Sequence, residues 1–458
     1  RSDDGLDVTV FDQGRGLGGR TSHRRVHEGG DYLPPAAPDA AFAFDHGCQF
    51  FRADTPRFRE ELLNDWLERG WAAEWTGDFG TLRADEGHCD ADFFGFPLRP
   101  PFFCGVGGMS ALPCALLSEA SKRGATVCPG VRVARTTRLS SGKWLLSGTS
   151  GAAAFHDTAE EEAARVAPDA LGEFDAVVVT DVSASMAGWH RASAGIPEEV
   201  ASRVHGRTRV VLFTALVAFE EPLALEQDAF SVADDMLWFA ARTRSKPGLR
   251  DAANFDCWTL VSSPKYAAAE VARVPMQDPK TGAFRPQEMS YLREGPCATL
   301  LAAFQRLLAT NGYEKCVPLP KAVYVGGQRW GSAFPAPAGV IGGDGPQRGE
   351  DTVEVLGIEY ACAPSLSLAP AKEEETVSDA ATAPKRAPTE PGLMYGKAFL
   401  ADDDLRLYYA SDYVSNHAPG VEASALSALD AALHVTSVIC SRASDLRSSA
   451  GTDGRSCQ

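Results

Sequence analysis

The sequence lacks the patterns that mark several common classes of protein. Its 11 cysteines include no CxxC pair and no spacing suited to zinc, so neither a metal site nor a disulfide framework is expected. An odd cysteine count fits reduced thiols better. No uninterrupted run approaches the roughly 18 to 20 apolar residues that span a bilayer, which predicts no membrane span. No G-x-S-x-G motif or recognisable Cys–His arrangement marks a nucleophile.

Basic residues are also in short supply. The chain has 44 Lys and Arg against 61 Asp and Glu, giving a net charge of −17 that argues against a nucleic-acid partner. An anionic cofactor would therefore be held locally, by backbone N–H groups and a few arginines. The length of 458 residues and the hydrophobic fraction of 44% indicate a globular enzyme of two domains or more. The sequence does not identify a compartment, although an intracellular one is favoured.

Residues 10–20 read V-F-D-Q-G-R-G-L-G-G-R and contain the dinucleotide-binding pattern G-x-G-x-x-G. In a Rossmann unit the ribose-binding acid follows these glycines by about 20 residues, at the end of the second strand. Here the acid, Asp12, precedes them. We therefore interpret the run before Asp12 as the second strand. The first strand, its glycine loop and its helix would then lie within roughly 30 residues upstream of Arg1. On position alone, a flexible Gly/Arg turn is an equal alternative.

Periodicity predicts a mixed α/β chain with several inserted segments. Helices are predicted over 56–69, 110–123 and 423–438, the last with Leu426, Leu429 and Leu433 on one face. Strands are predicted over 125–133 and 143–147, with a buried parallel-type strand over 175–180 and antiparallel strands over 209–219, 236–241 and 257–262. Residues 28–43, 147–172 and 361–391 are interpreted as inserts, the last disordered, and the tail after Cys440 is expected to fray.

Seven motifs occur in an order that resembles the renalase-like branch of the FAD-dependent amine-oxidase superfamily. They are V-F-D-x-G-R-G-x-G-G-R, F-D-H-G-C-Q-F-F (44–51), G-V-G-G-M-S-A-L (105–112), L-W-F-A-A-R-T-R-S-K-P-G (237–248), W-T-L-V-S-S-P (258–264), Q-R-W (328–330), and Y-Y-A-S-D-Y through P-G-V-E-A-S-A-L-S-A-L (408–429). Together they cover most of the chain outside the inserts. Ser411 and Ser424 stand where the family usually has glycine.

The resemblance implies an α/β fold with a glutathione-reductase-like FAD domain, whose first βαβ strand and helix are missing, and an α+β substrate domain with an antiparallel sheet. The FAD domain would comprise 1–60, 105–190 and 392–440. The substrate domain would comprise 61–104 and 191–345, with a disordered insert at 361–391 and a flexible tail at 441–458.

The resemblance also implies which residues contact the cofactor. Asp12 would bind the adenosine ribose and Val131 would contact the adenine. The pyrophosphate and flavin side would be lined by Arg15, Gly18, Gly19 and Arg20. The isoalloxazine would lie beside His46, Gly47, Gln49 and Phe50, with Gly107 and Met109 near its redox face. Asp412 would meet the ribityl–pyrophosphate region, and the helix starting at Val421 and Glu422 would aim its N-terminus at the flavin.

No residue is assigned to catalysis, and the pocket candidates are Gln49, Phe50 and Trp330. Lys246, in S-K-P-G, either faces an anionic substrate or lies in a hairpin turn, and His190 either reaches the site or faces solvent.

The implied function is oxidation of a small substrate by hydride transfer to N5 of non-covalent FAD, with dioxygen as electron acceptor. The substrate implied is a misreduced dihydronicotinamide dinucleotide. An amine oxidase, a non-catalytic flavin-fold remnant acting as an interaction module and, less favoured, a Rossmann-type methyltransferase are the alternatives.

Overall fold

The computed structural model describes residues 5–14, 16–27, 32–33, 40–84, 93–94, 100–150, 169–182, 200, 204, 209–249, 255–278, 285, 287–335, 352–355, 358–361, 399–415 and 417–452. Arg15, His190 and residues 362–391 of the predicted insert lie outside them.

A six-stranded sheet forms the largest layer of the described chain. Across the sheet the strands are β17 (Ala322–Pro335), β13 (Arg209–Phe219), β16 (Asp256–Ser262), β15 (Leu237–Arg242), β14 (Ala229–Ala233) and β6 (Phe79–Arg83). All neighbours pair antiparallel except β14 and β6. Both faces of β13 are buried, which explains why its sequence is a continuous apolar run rather than an alternating one. The three antiparallel strands predicted from the sequence are thus confirmed as neighbours in one sheet.

Two helices cover this sheet. Helix α3 (Pro264–Arg273) begins at Ser263, whose Oγ accepts the backbone N–H of Tyr266 at 3.0 Å. Helix α4 runs through Met289–Leu292, a π-helical turn Arg293–Cys297 and Ala298–Thr310. Its apolar face packs against the sheet, and the buried contacts include Leu300, Phe304, Leu307, Val217, Phe230 and Trp258. Helices and strands therefore share one core in this part of the chain.

Two smaller sheets contain the other two parallel pairs of the described strands. Strand β1 (Thr9–Asp12) pairs with β8 (Thr126–Pro129), which follows helix α2 (Ala111–Lys122). Strand β12 (Val177–Val179) pairs with β21 (Leu407–Ala410), and β20 (Phe399–Asp402) adds antiparallel to β21. The predicted buried character of residues 175–180 is wrong, because Val178 is 44% exposed. Among the described strands β12 has one neighbour, β21, which leaves its other edge uncovered.

The remaining strands form short sheets around these layers. They are β2 (His23–Val26) between β3 (Tyr32–Leu33) and β4 (Phe42–Asp45), β5 (Ala72–Glu74) with β7 (Phe103–Gly105), β10 (Trp144–Ser150) between β9 (Val131–Arg138) and β11 (Asp169–Phe174), and β18 (Thr352–Val355) with β19 (Ile358–Ala361). Helix α1 spans Pro56–Phe58, the π-helical turn Arg59–Leu63 and Asn64–Glu68. Strands β10 and β11 thus enter the two ends of the predicted insert 147–172, and β3 and the start of β4 lie within 28–43, so these inserts are shorter than the composition indicated.

Helix α5 (Val421–Thr452) differs from its prediction in three ways. It continues past Cys440 into the segment expected to fray. Leu433 is 61% exposed although Leu426 on the predicted apolar face is buried. Residues 421–441 are also long and apolar enough to cross a membrane by length and composition, with a mean hydropathy of 1.4. Polar residues interrupt this segment, so it does not form the uninterrupted apolar run on which the sequence prediction depended. Three polar side chains on this segment, Glu422, Asp430 and His434, bond to other parts of the protein, as expected of a packed helix.

Candidate functional site

Asp12 and Val131 lie at the same end of a parallel strand pair. Asp12 is the last residue of β1 and aligns with Pro129 of β8, two positions before Val131. The Asp12 carboxylate accepts the backbone N–H of Gly14 at 2.6 Å, which closes a tight turn directly after the strand. The turn keeps the carboxylate at the carboxyl end of the sheet, where ligands of α/β folds bind. This is the position that a ribose-binding acid requires.

The Gly18–Gly19 turn presents backbone to open space. Both residues have positive φ, +117° at Gly18 and +52° at Gly19, which favours glycine. Gly18 packs against Pro113 of α2, whereas a Cβ at Gly19 would have no described atom within 4 Å. A ligand could therefore approach the backbone at Gly19 closely without displacing protein atoms.

Arg20 and Asp412, which are 392 positions apart, form a two-point ion pair. Arg20 Nη1 and Nη2 donate to the two Asp412 carboxylate oxygens at 2.8 and 2.6 Å, and Nη1 also donates to the Ala333 carbonyl at 2.9 Å. The Asp412 side chain is fully buried and that of Arg20 is 23% exposed. Burial opposes the charge on Arg20, but the Asp412 carboxylate outweighs it and raises the Arg20 pKa above its usual range.

Ser411 directs its hydroxyl back into its own segment. Its Oγ lies 3.0 Å from an Asp412 oxygen and accepts the Tyr413 backbone N–H at 3.1 Å. The Ser411 hydroxyl, at a position where the resembled motif usually has glycine, is therefore accommodated inside the protein and orients Asp412.

His46, Gly47 and Trp330 form a close-packed contact beside Arg20. The Trp330 indole N–H donates to the His46 carbonyl at 2.7 Å, and the two ring centroids are 5.4 Å apart. A Cβ at Gly47 would lie 2.1 Å from the Arg20 carbonyl oxygen and 3.0 Å from Trp330, so only glycine fits. Burial, helped by the charge of Arg24, lowers the His46 pKa well below its usual value and keeps the imidazole neutral. Its Nδ1 is buried and has no hydrogen-bond partner among the described residues.

A buried charged cluster lies behind this contact, and the sequence did not reveal it. Asp45 Oδ1 accepts the backbone N–H of Met109 and contacts His23 Nδ1, each at 2.8 Å, while Oδ2 accepts from Lys246 Nζ at 3.0 Å. Burial alone would raise the Asp45 pKa, but the Lys246 ammonium and the His23 bond outweigh it and hold the pKa well below its usual range. Lys246 lies in the turn between β15 and β16, in line with the predicted hairpin turn, and its side chain is buried in this cluster.

Two of the three pocket candidates are engaged by the protein itself. Gln49 Oε1 accepts from Lys246 at 3.0 Å, and its Nε2 donates to the carbonyls of Asp45 and Gly47 at 2.5 and 3.0 Å. The ring of Phe50 packs within an aromatic cluster and lies 4.6 Å from that of Phe102. Trp330 is, like Phe50, only partly buried, and it lies beside segments predicted to face the flavin.

The cysteines near the site do not offer a nucleophile. Burial raises the pKa of Cys48 to about 11 and that of Cys104 still further. Both thiols are therefore neutral.

Helix α5 begins at the site but directs its first acid elsewhere. Val421 packs against the core that contains Phe50, Phe51 and Trp330. The Glu422 carboxylate accepts the backbone N–H groups of Asp54 and Thr55 at 2.6 and 3.0 Å. Both carboxylate oxygens therefore accept hydrogen bonds from the residues that precede α1. A direct contact between Glu422 and the cofactor stays a prediction.

Replacing Glu422 with Gln is expected to lower the free energy of unfolding by about 1 to 3 kcal/mol, because an amide NH₂ would face a backbone N–H donor. Urea unfolding followed by tryptophan fluorescence measures it. Glu68→Gln, at an exposed position on α1, is the matched control and should change stability by less than about 0.5 kcal/mol. Unchanged stability of Glu422→Gln would show that this carboxylate is not structural.

The loop from Gly107 to Met109 reaches the same region from the other side. A Cβ at Gly107, whose φ is +89°, would meet no described atom within 4 Å, whereas one at Gly108 would clash with the His23 ring. The Met109 N–H is fixed by Asp45, as described above.

These features fit a flavin dinucleotide. Gly19 and Gly107 leave room at the backbone, Asp12 offers a carboxylate at a strand end, and the buried His46 Nδ1 has bonding capacity to spare. Most residues predicted to contact the cofactor are thus present in arrangements that could hold it. Arg15 lies outside the described residues.

No family model matches the chain. Similar solved structures include an oxidoreductase from Methanosarcina mazei (13% identity, TM-score 0.31), a flavoprotein/dehydrogenase from Cytophaga hutchinsonii (11%, 0.33) and the flavin-dependent halogenase CmlS (14%, 0.34). The alignments cover 51%, 71% and 71% of this chain and 45%, 61% and 46% of those structures, respectively.

Proposed function

We propose that the chain binds FAD non-covalently and oxidises a small substrate by hydride transfer to flavin N5, with dioxygen as the electron acceptor. The observation that carries the proposal is the Arg20–Asp412 ion pair beside the His46–Trp330 contact. The four residues come from four separate motifs, and the Arg20 carbonyl oxygen, which accepts the Cys48 N–H at 2.8 Å, links the two pairs. Non-contiguous motifs that converge on glycines with open backbone are what a dinucleotide site requires.

Different residues would bind different parts of the FAD molecule. Asp12 would accept the ribose hydroxyls, and the Gly18–Gly19 backbone would lie against the pyrophosphate. Arg20, although its charge is paired with Asp412, retains 23% exposure of its side chain and would donate to a phosphate oxygen through the N–H groups that Asp412 and Ala333 do not use. His46 and Trp330 would bound the isoalloxazine, and the neutral His46 can offer a hydrogen bond without adding charge.

When bound, the flavin accepts the hydride, so the protein needs no nucleophile of its own. The protein orients the substrate and excludes water. The aromatic side chains around Phe50 and Trp330 suit both tasks, because they form apolar walls next to the predicted flavin face. As substrate we propose a misreduced dihydronicotinamide dinucleotide.

The proposal predicts that the purified chain, mixed with FAD and desalted, retains visible flavin absorbance. A dissociation constant in the range of about 1 μM or tighter is expected for a site with these contacts. Anaerobic addition of a misreduced dihydronicotinamide dinucleotide should then bleach the flavin, and air should restore the colour. A folded chain that retains no flavin would contradict the proposal and leave the interaction-module alternative. Bleaching by amines alone would assign the substrate to the amine-oxidase alternative.

A further inference from the structure

We propose that Lys246 is a positioning residue, whose bonds to Asp45 and Gln49 fix the two loops that face the flavin, 45–49 and 107–109. The inference rests on the proposed function for the identity of the ligand, but the bonds that carry it belong to the protein alone.

The ammonium of Lys246 is bonded and charge-paired within the protein. Its Nζ donates to Asp45 Oδ2 and Gln49 Oε1, each at 3.0 Å, and lies 5.3 Å from the centre of the Trp75 ring. The side chain is 2% exposed and that of Asp45 is fully buried. A buried ammonium is stable only when it is paired in this way, so the charge is committed to the interior.

Asp45 and Gln49 connect Lys246 to both loops through hydrogen bonds. The second oxygen of Asp45 accepts the Met109 backbone N–H at 2.8 Å, which ties down the end of loop 107–109. Gln49 Nε2 donates to the carbonyls of Asp45 and Gly47, which closes loop 45–49 on itself. One ammonium therefore connects the S-K-P-G hairpin to two segments that are distant in sequence.

Removing the ammonium should loosen both loops without removing a ligand contact. The Asp45 carboxylate would remain buried without its cation, and Gln49 would lose the partner that orients its amide. Misplaced loops lower the rate of the chemical step more than they weaken substrate binding, because orientation matters most in the transition state.

The test is hydrogen exchange on the flavin-free chain, comparing Lys246→Met with Lys265→Met. Lys265 is a matched control, since it also pairs with an aspartate, Asp235 at 3.1 Å, but its side chain is 59% exposed. Peptides covering 44–51 and 103–112 should exchange about tenfold faster in Lys246→Met and unchanged in Lys265→Met. Unchanged protection of these peptides in Lys246→Met would overturn the proposal.

A second variant keeps the test open if Lys246→Met does not fold. Gln49→Met retains the Asp45–Lys246 pair and should speed exchange about threefold in 44–51 only, because the Asp45–Met109 bond remains. Equal effects on both loops, or none, would count against the assigned connections.

The flavin-loaded enzyme adds a kinetic readout. For Lys246→Met we expect kcat to fall about tenfold with KM changed less than about twofold. A large rise in KM with kcat unchanged would mean that Lys246 binds substrate, and would overturn the positioning role. If the wild-type chain retains no flavin, the proposed function fails, while the exchange data still decide whether Lys246 holds the loops.

Discussion

Replacing Asp412 with Asn should lower the free energy of unfolding by about 3 kcal/mol and prevent flavin retention. The substitution leaves the Arg20 guanidinium without its carboxylate in a mostly buried position, and breaking one side of a buried pair costs about 3 to 5 kcal/mol. The lower end applies because the Arg20 side chain is 23% exposed. Urea unfolding and the titration of flavin fluorescence with protein measure the two effects separately.

A surface pair provides the control for this variant. Arg57 also bonds both oxygens of an aspartate, Asp430 of helix α5, at 3.2 and 2.6 Å, but the two side chains are 41% and 25% exposed. Asp430→Asn should therefore cost less than about 1 kcal/mol and leave flavin retention unchanged.

A double variant separates folding from ligand binding at the Arg20–Asp412 pair. Arg20→Met with Asp412→Asn removes both charges and should recover about half of the lost stability, since neutral replacement of a buried pair is often tolerated. Flavin retention should not recover. If Asp412→Asn retains flavin as tightly as the wild type, the pair does not belong to the cofactor site.

How far the sequence predicted the fold depended on whether the signal was local. The antiparallel strands around 209–262 were predictable because apolar runs rich in β-branched residues are typical of buried strands. The exposure of Val178 was not predictable, because the V-V-V sequence is the same whether the strand has a neighbour on one edge or on both. The extent of helix α5 was also missed, since its last turns consist of small polar residues with weak helix signals.

The site shows the same division. The Arg20–Asp412 pair could be anticipated only through the order of the motifs, since nothing in the spacing of residues 392 positions apart implies contact. The burial of Lys246 was not foreseen because S-K-P-G has the composition of an exposed turn, and its partner Asp45 lies 201 positions earlier. Glu422 was assigned to the cofactor from its motif, whereas its bonds to Asp54 and Thr55 depend on where α1 begins. The motifs indicated which residues could form the candidate site, but partners that arise from tertiary packing required the structure.

Two glycine substitutions should distinguish packing from ligand contact within the proposed flavin site. Gly47→Ala would place its Cβ 2.1 Å from the Arg20 carbonyl oxygen, which already accepts the Cys48 N–H at 2.8 Å and so cannot move freely. One of the two backbone segments must shift, and we expect a loss of about 3 kcal/mol in unfolding free energy, the upper end for overpacking. Gly295→Ala, whose Cβ would make only ordinary contact with Tyr291 at 3.7 Å, is the control and should cost far less.

Gly19→Ala should give the opposite pattern. Its Cβ would meet no described atom, so the cost is limited to about 1 kcal/mol for the left-handed conformation at φ +52°. The same Cβ would occupy the space where a pyrophosphate approaches the backbone, and flavin affinity should fall about tenfold or more. Urea unfolding and flavin titration of both variants provide the comparison. If Gly19→Ala binds flavin normally, the open space at this turn faces solvent rather than the cofactor, and the phosphate contact must be made elsewhere.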